Sequence, residues 1–318
     1  MRKDIAAALM AALALVGCGG GDDPAEPGTA RPVTLALDFQ PNAVHAGIFA
    51  ATAEGLDTER GVELTVRSPS ASTDSLKLLA AGRADLAIVD IHDLGLARER
   101  GNDIVGVGAI VQRPLAAVIA RPEVARPRDL EGRRVGVTGL PSDEAVLRAI
   151  VQADGGDHES VRRITIGFSA VPSLIAGRVD AVVTFWNAEG VALRERGVRT
   201  REFRVGDFGA PRYPELVLAT TRGTLERDPE LVRGTVAALE AGTRAALADR
   251  PAAAARIAAE SETDERLVRA QLDAVAAALS PPLRLHRAAL KEWARFDARF
   301  QILERVPDVE AAFALELR

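Results

Sequence analysis

Two short segments combine side chains that could recognise a flat, nitrogen-bearing molecule. Phe185-Trp186-Asn187-Ala188-Glu189 sets an aromatic plane beside an amide and a carboxylate. A heteroaromatic ring is held by such a combination: its face gains dispersion and quadrupole attraction, while Asn187 and Glu189 meet ring nitrogens and an exocyclic amine. The same residues read equally well as structure, with Trp186 closing a strand, Asn187 capping a helix and Glu189 favouring the helix N-terminus. The second segment is Asp38-Phe39-Gln40-Pro41-Asn42-Ala43-Val44-His45. With Asn42 as N-cap, His45 falls in the first helical turn, where the helix dipole disfavours imidazolium and leaves a ring that donates from one nitrogen. Asp38 and Phe39 leave a strand on opposite sides, so one of them can face a cleft. The structural alternative is that Asn42 only caps, His45 only packs and Phe39 is core.

Ser70 and Ser72 stand in a loop ending at Asp74, where hydroxyls and backbone N–H groups at a helix start would suit a polar or anionic group. An ordinary N-capped turn has the same composition. Other chemistries find no support. Gly106-Val107-Gly108 lacks the third glycine and the helix of a dinucleotide fingerprint. The four histidines show no metal-ligand spacing, and Ser169 and Ser173 lack the G-x-S-x-G context of a nucleophile elbow. No cofactor, metal or catalytic centre is expected.

These segments need a scaffold that brings them to one place. Short β-branched runs at Val33–Leu37, Glu63–Val66, Leu86–Val89, Ile104–Ile110, Ala116–Ile119, Arg134–Thr138, Ile164–Ile166, Ala181–Thr184 and Glu215–Thr220 alternate with helical patterns, which predicts α/β architecture with parallel sheets. In such sheets ligands bind beyond the carboxyl ends of strands, where both segments fall, along with Asp90-Ile91-His92-Asp93 and Gly139-Leu140-Pro141-Ser142-Asp143-Glu144. Pro122 with Pro127, and Pro211 with Pro214, mark two places where the chain crosses between lobes. The expected division is residues 31–120 plus 215–318 in lobe 1 and residues 121–214 in lobe 2, with the two crossings as a hinge. After Thr221 the pattern is almost wholly helical, and no chemistry is expected there.

The start of the chain is an address rather than a fold. Arg2 and Lys3 precede an apolar run from Ile5 to Val16, the composition of a signal peptide over residues 1–17. Cys18, the only cysteine of the 318 residues, sits where a bacterial lipoprotein signal resembling this one carries its lipidated cysteine. Residues 18–30 are Gly, Asp, Pro and Glu with few apolar side chains and read as a flexible tether. A net charge of -5, with Arg interleaved among Glu and Asp, gives no attractive field for a polyanion, so nucleic acid is not an expected partner.

Leu37-Asp38-Phe39-Gln40-Pro41-Asn42, His45 and Gly47 resemble the opening motif of ABC-importer binding lipoproteins for the pyrimidine precursor of thiamine. The resemblance runs on through Gly82–Ile88, Ile110–Leu115, Pro141–Glu144, Val179–Val182, Trp186–Gly190 and Tyr213–Val217. It implies a type II periplasmic-binding-protein fold of two lobes joined by a two-crossing hinge. It also implies a monomeric solute-binding lipoprotein, held to the membrane outside the cytoplasm by lipid on Cys18, that delivers an aminopyrimidine to an ABC permease and its ATPase. Carried over residue by residue, Asn42 and His45 match cleft positions, Trp186 and Asn187 the aromatic and amide positions, and Glu189 the pyrimidine-binding carboxylate. Phe39 replaces a tryptophan and Ala188 a second aromatic, which reduces stacking area. The alternatives are a binder of riboflavin or another heteroaromatic on the same fold, and a pyrimidine synthase-like enzyme, which the single cysteine disfavours.

Overall fold

The computed structural model describes residues 30–71 and 74–317; the expected signal peptide, Cys18, nearly all of the tether, and Ser72 lie outside the described residues. Ten strands form two five-stranded sheets. They are β1 (Arg31–Ala36), β2 (Val62–Arg67), β3 (Leu86–Asp90), β4 (Ile104–Ala109), β5 (Ala116–Ala120), β6 (Arg134–Val137), β7 (Arg162–Thr165), β8 (Ala181–Phe185), β9 (Arg201–Arg204) and β10 (Leu216–Thr221). The first sheet has the order β2-β1-β3-β10-β4 and the second β7-β6-β8-β5-β9. In each, four strands run in one direction, and the strand that enters from the other lobe runs against them, pairing antiparallel with both its neighbours: β10 between β3 and β4, β5 between β8 and β9. This is the two-lobed α/β binding-protein fold with two crossings.

The first crossing differs from the expected one. Ala116–Ala120 belongs to the second sheet, so the chain changes lobe between Ala109 and Ala116, at Arg113-Pro114, and not at Pro122–Pro127. Pro127 instead opens a 3-10 turn, Pro127–Leu130, inside lobe 2. The β5 sequence, Ala-Ala-Val-Ile-Ala, is buried at every position because it runs through the middle of its sheet. Strand β9 reads Arg-Glu-Phe-Arg and buries only Phe203, as an edge strand does; its charge hides it from a search for apolar runs.

The helices set the site's walls. Ala46–Ala53 follows the 3-10 turn that carries His45 and lies against the long Pro229–Ala248 helix. The approach is so close that a Cβ on Gly242 would stand 2.0 Å from the Gly47 carbonyl oxygen. Asp228 caps the long helix by accepting from Leu231 N at 3.0 Å, and Pro229 starts it, as their types require. Helix Ile91–Glu99 leaves the end of β3, and Pro141–Ala153 leaves the end of β6.

One side chain ties the two crossings together. The fully buried Glu215 carboxylate accepts from Leu115 N at 2.6 Å, while Glu215 N donates to Val111 O at 3.1 Å and Ile110 N donates to Leu216 O at 2.9 Å. Burial raises the Glu215 pKa, opposed by the charge of His92 and by the backbone N–H donors. His92, also fully buried, holds Asp297 through Nδ1 at 2.8 and 3.0 Å and Tyr213 OH through Nε2 at 3.0 Å. Burial alone would lower the His92 pKa, but the charge and hydrogen bond of Asp297, with Asp90 and Glu215, lift it to about 10. Glu215→Ala should therefore lose on the order of 2 kcal/mol of stability by stranding Leu115 N, and Glu215→Gln clearly less, because its amide oxygen still accepts. Urea unfolding of a chain starting at Ala30 checks this; equal midpoints for wild type and Glu215→Ala would refute it.

Candidate functional site

A cavity of about 90 Å³ lies between the lobes, beyond the carboxyl ends of β1, β3, β6 and β8. Its apolar walls include Leu76, Val146, Phe185 and Leu216, and two phenyl rings meet in it: Phe39 from lobe 1 and Phe168 from lobe 2, edge to face with centroids 4.4 Å apart. Its polar groups are carboxylates, hydroxyls and the Asn42 amide. Asp38, Asp90, Asp93, Asp143 and Glu189 reach it, and no Lys, Arg or His is among the described residues that line it.

Each carboxylate is held by its own element. Asp38 follows β1 and receives His45 Nε2 at 2.9 Å; because His45 Nδ1 accepts from Asn42 N at 3.2 Å, the ring proton lies on Nε2 and is donated to Asp38. Asn42 caps the turn, its Oδ1 accepting from Val44 N at 3.1 Å, and also lines the cavity. Asp90 caps the helix after β3 by accepting from His92 N at 2.8 Å. Asp93, one turn on, reaches across the cleft and accepts from Ser142 Oγ at 2.9 Å and Ser142 N at 3.2 Å. Asp143 closes the turn after β6: its Oδ2 accepts from Thr138 N at 2.6 Å, Thr138 Oγ1 at 2.7 Å and Gly139 N at 3.2 Å. Glu189, at the start of the Glu189–Glu195 helix, accepts from Phe185 N at 3.4 Å.

Burial dominates the electrostatics. It raises Asp143 to about 7 against hydrogen bonds from Thr138, and Asp93 to about 6 against those from Ser142. It pushes Asp90 well above the usual carboxylate range, against the charge of His92 and with help from Asp93 and Glu215. Glu189 is raised by burial too, with hydrogen bonds from Thr184 and the backbone opposing and the charge of Asp38 adding to the rise.

The expected site residues divide into two groups. Asp38, Phe39, Asn42 and Glu189 come together in the cavity. His45 does not line it; buried, it acts behind Asp38. Trp186 stands off the cavity because its backbone N–H donates to Leu115 O at 3.1 Å and its indole N–H to Pro114 O at 3.2 Å, pinning the ring to the first crossing, where the Arg204 guanidinium lies 4.3 Å above it. Asn187 is buried outside the cavity, with neither amide atom hydrogen-bonded within the described residues. Ser70 is exposed and donates through Oγ to Asp74 Oδ2 at 2.6 Å, an ordinary capped turn. Phe168, Asp90, Asp93 and Asp143 were not selected from the sequence. Asp90, Asp93 and Asp143 lie in post-strand segments already noted, and Phe168 follows the end of β7, so the rule that ligands meet strand ends would have found them.

Buried carboxylates give the stability a pH signature. Asp143 binds its proton at about 7 in the folded chain and at 3.8 ordinarily, so the folded state holds more protons than the unfolded between those values and stability falls as pH rises through that window. Asp93 acts in the same direction up to about 6. His92, raised to about 10 from 6.5, adds stability that is complete below 6.5 and is lost as pH rises through 10. The ligand-free protein should melt roughly 3 °C or more higher at pH 5 than at pH 8, and Asp143→Asn should shrink that gap. Equal melting temperatures at the two pH values, measured by calorimetry, would contradict the burial described.

Residues 42–254 match the model of the NMT1/THI5 like family. Over 203 residues the chain is 36% identical to a formylaminopyrimidine-binding protein of Halalkalibacterium halodurans, an overlap of 63% of this chain and 62% of that one. It is 22% identical over 231 residues to a 4-amino-5-hydroxymethyl-2-methylpyrimidine phosphate synthase of Saccharomyces cerevisiae, covering 68% and 67% of the two chains. The chain thus spans about three fifths of the length of the bacterial relative. Among solved structures, the alkanesulfonate-binding protein of Xanthomonas axonopodis pv. citri bound to MOPS superposes with a TM-score of 0.70 at 18% identity over 90% of this chain and 98% of that one, a likeness of fold. With the family match covering more than half of its length, the chain belongs to the NMT1/THI5-like family.

Proposed function

We propose that this protein is the extracytoplasmic solute-binding component of an ABC importer, and that it closes its two lobes over a thiamine-related aminopyrimidine and hands it to a permease. In this reading residues 31–110 with 215–317 form one closing body and residues 116–214 the other. The observation that carries the ligand class is the lining of the cavity: aromatic edges, carboxylates and hydroxyls with no cation among the described residues. An aminopyrimidine supplies what that lining lacks, an apolar ring with N–H donors on its edge. The 36% identity to a formylaminopyrimidine-binding protein supports the same reading.

The alternatives fit less well. A sulfonate would meet carboxylates that repel it and no cation among the described lining residues. Riboflavin, with three fused rings and a ribityl chain, asks for more room than a single pyrimidine ring in a cavity of about 90 Å³. A synthase of the kind the resemblance suggests uses a cysteine-rich motif, and Cys18 is the only cysteine of the chain, which supports binding over catalysis.

Glu189 is the residue on which the ligand choice turns. A carboxylate accepting from an exocyclic amine in a closed cleft contributes a charge-assisted bond, so Glu189→Gln should weaken binding of a hydroxymethyl- or aminomethyl-aminopyrimidine by on the order of 2 kcal/mol, well over tenfold. Titration calorimetry of both proteins with the pyrimidines, riboflavin and taurine tests this. Tight taurine binding, or unchanged pyrimidine affinity in Glu189→Gln, would remove the aminopyrimidine reading.

The address belongs to the same proposal. Cys18→Ser should leave the chain without acyl lipid and release it from the membrane, while the folded portion still binds ligand. Mass spectrometry of the N-terminal peptide decides: a wild-type peptide carrying no acyl mass would sink the lipoprotein assignment.

A further inference from the structure

Four of the five carboxylates of the cavity fall into two pairs, each with one member from either lobe, while Asp90 caps its own helix beside His92. Asp38 of lobe 1 acts on Glu189 of lobe 2, where its charge adds to the burial that disfavours the ionised form. Asp93 of lobe 1 acts in the same way on Asp143 of lobe 2. Closing the lobes therefore brings like charges together twice, and no cationic side chain among the described lining residues stands between them. The second pair is partly satisfied from within the protein. Asp93 uses both oxygens on Ser142, but Asp143 takes its three donors on Oδ2 alone, leaving Oδ1 without a hydrogen bond from any described residue. Asp143 is 8% exposed and lines the cavity.

A carboxylate oxygen of a cavity-lining side chain that takes no donor from the described residues is free to take one from whatever fills the cavity. We infer that Asp143 is a specificity-determining residue, which receives an N–H or ammonium group on the substituent arm of the bound pyrimidine and excludes ligands whose arm ends in a phosphate or other anion. This rests on the aminopyrimidine reading, in which Glu189 meets the ring amine; Asp143 then reads the other end of the molecule. An ammonium arm gives a charge-assisted bond that a hydroxyl arm matches only in part, and a phosphate arm is repelled by both pairs. The ligand itself supplies the countercharge that lets the lobes close.

Calorimetry with three ligands that share one ring tests the inference: 4-amino-2-methylpyrimidine bearing aminomethyl, hydroxymethyl or phosphorylated hydroxymethyl at position 5. In the wild type the aminomethyl compound should bind at least about tenfold tighter than the hydroxymethyl compound, and the phosphate ester at least about tenfold more weakly than either. Asp143→Asn, whose amide oxygen can still accept from Thr138 and Gly139, should bring the amine and alcohol to within about threefold of each other. The wild-type ratios need no variant and stand even if Asp143→Asn fails to fold. Equal affinity for amine and alcohol, tight binding of the phosphate, or an unchanged ratio in a folded Asp143→Asn would overturn the role of Asp143 while leaving the aminopyrimidine reading intact. Binding of none of the three would overturn that reading and this inference with it.

Discussion

A buried carboxylate that stitches two chain crossings together is the constraint on which the rest of the molecule depends. Glu215 has no exposure to water, and its backbone and side chain between them engage Val111, Leu115 and Ile91. An isolated buried charge at that place would be prohibitively costly. It is tolerable because the His92 imidazolium, itself fixed by Asp297 and the phenol of Tyr213, lies close enough to favour the ionised form. The pivot is thereby chemically joined to the cavity, since His92 sits between Asp90 and Asp93, two residues of the cavity wall.

That arrangement separates two kinds of buried charge. Around the crossings, acid and base face each other, and the charge and hydrogen bonds of His92 offset part of the burial cost while fixing geometry. Inside the cavity the acids are raised by burial and face one another without a base among the described lining residues. A binding site is a place where polar groups are left for another molecule to satisfy, and here the deficit has a sign. The walls supply acceptors, so a ligand that supplies donors is the one whose arrival relieves the repulsion and favours the closed lobes.

The strand pattern was legible because most of the expected strands are β-branched or alanine runs buried on at least one face; β7, an edge strand, buries no residue. Asp38, Phe39, Asn42 and Glu189 were legible because they lie in the turns and helix starts that follow β1 and β8. What escaped has specific reasons. Strand β9 is charged at three of its four positions, and proximity in space to β5 is what makes it a strand. Prolines at 122 and 127 mimic a crossing, whereas the true one carries Pro114 and is recognised only through the pairing of β5. Trp186 looked like a stacking platform by type, yet a bond from its indole to Pro114 turns it into a fastening of the crossing. Asp297 belongs to a helix with no local sign of chemistry; its partner His92 is 205 residues away, a pairing that no spacing rule reveals.

The antiparallel strand in each sheet also dictates an order of assembly. Among the strands, β4 pairs only with β10, its other edge meeting a single bridge at Phe313, and β9 pairs only with β5. Until residue 221 is available, the first sheet cannot extend past β3, and β4 is left with two unpaired edges although its residues were made more than a hundred positions earlier. The two lobes therefore differ: lobe 2 can complete its own sheet from one continuous stretch of chain, but lobe 1 waits for the chain to come back. A nascent chain interrupted anywhere before β10 would present the bare edges of β3 and β4, which are templates for misassociation.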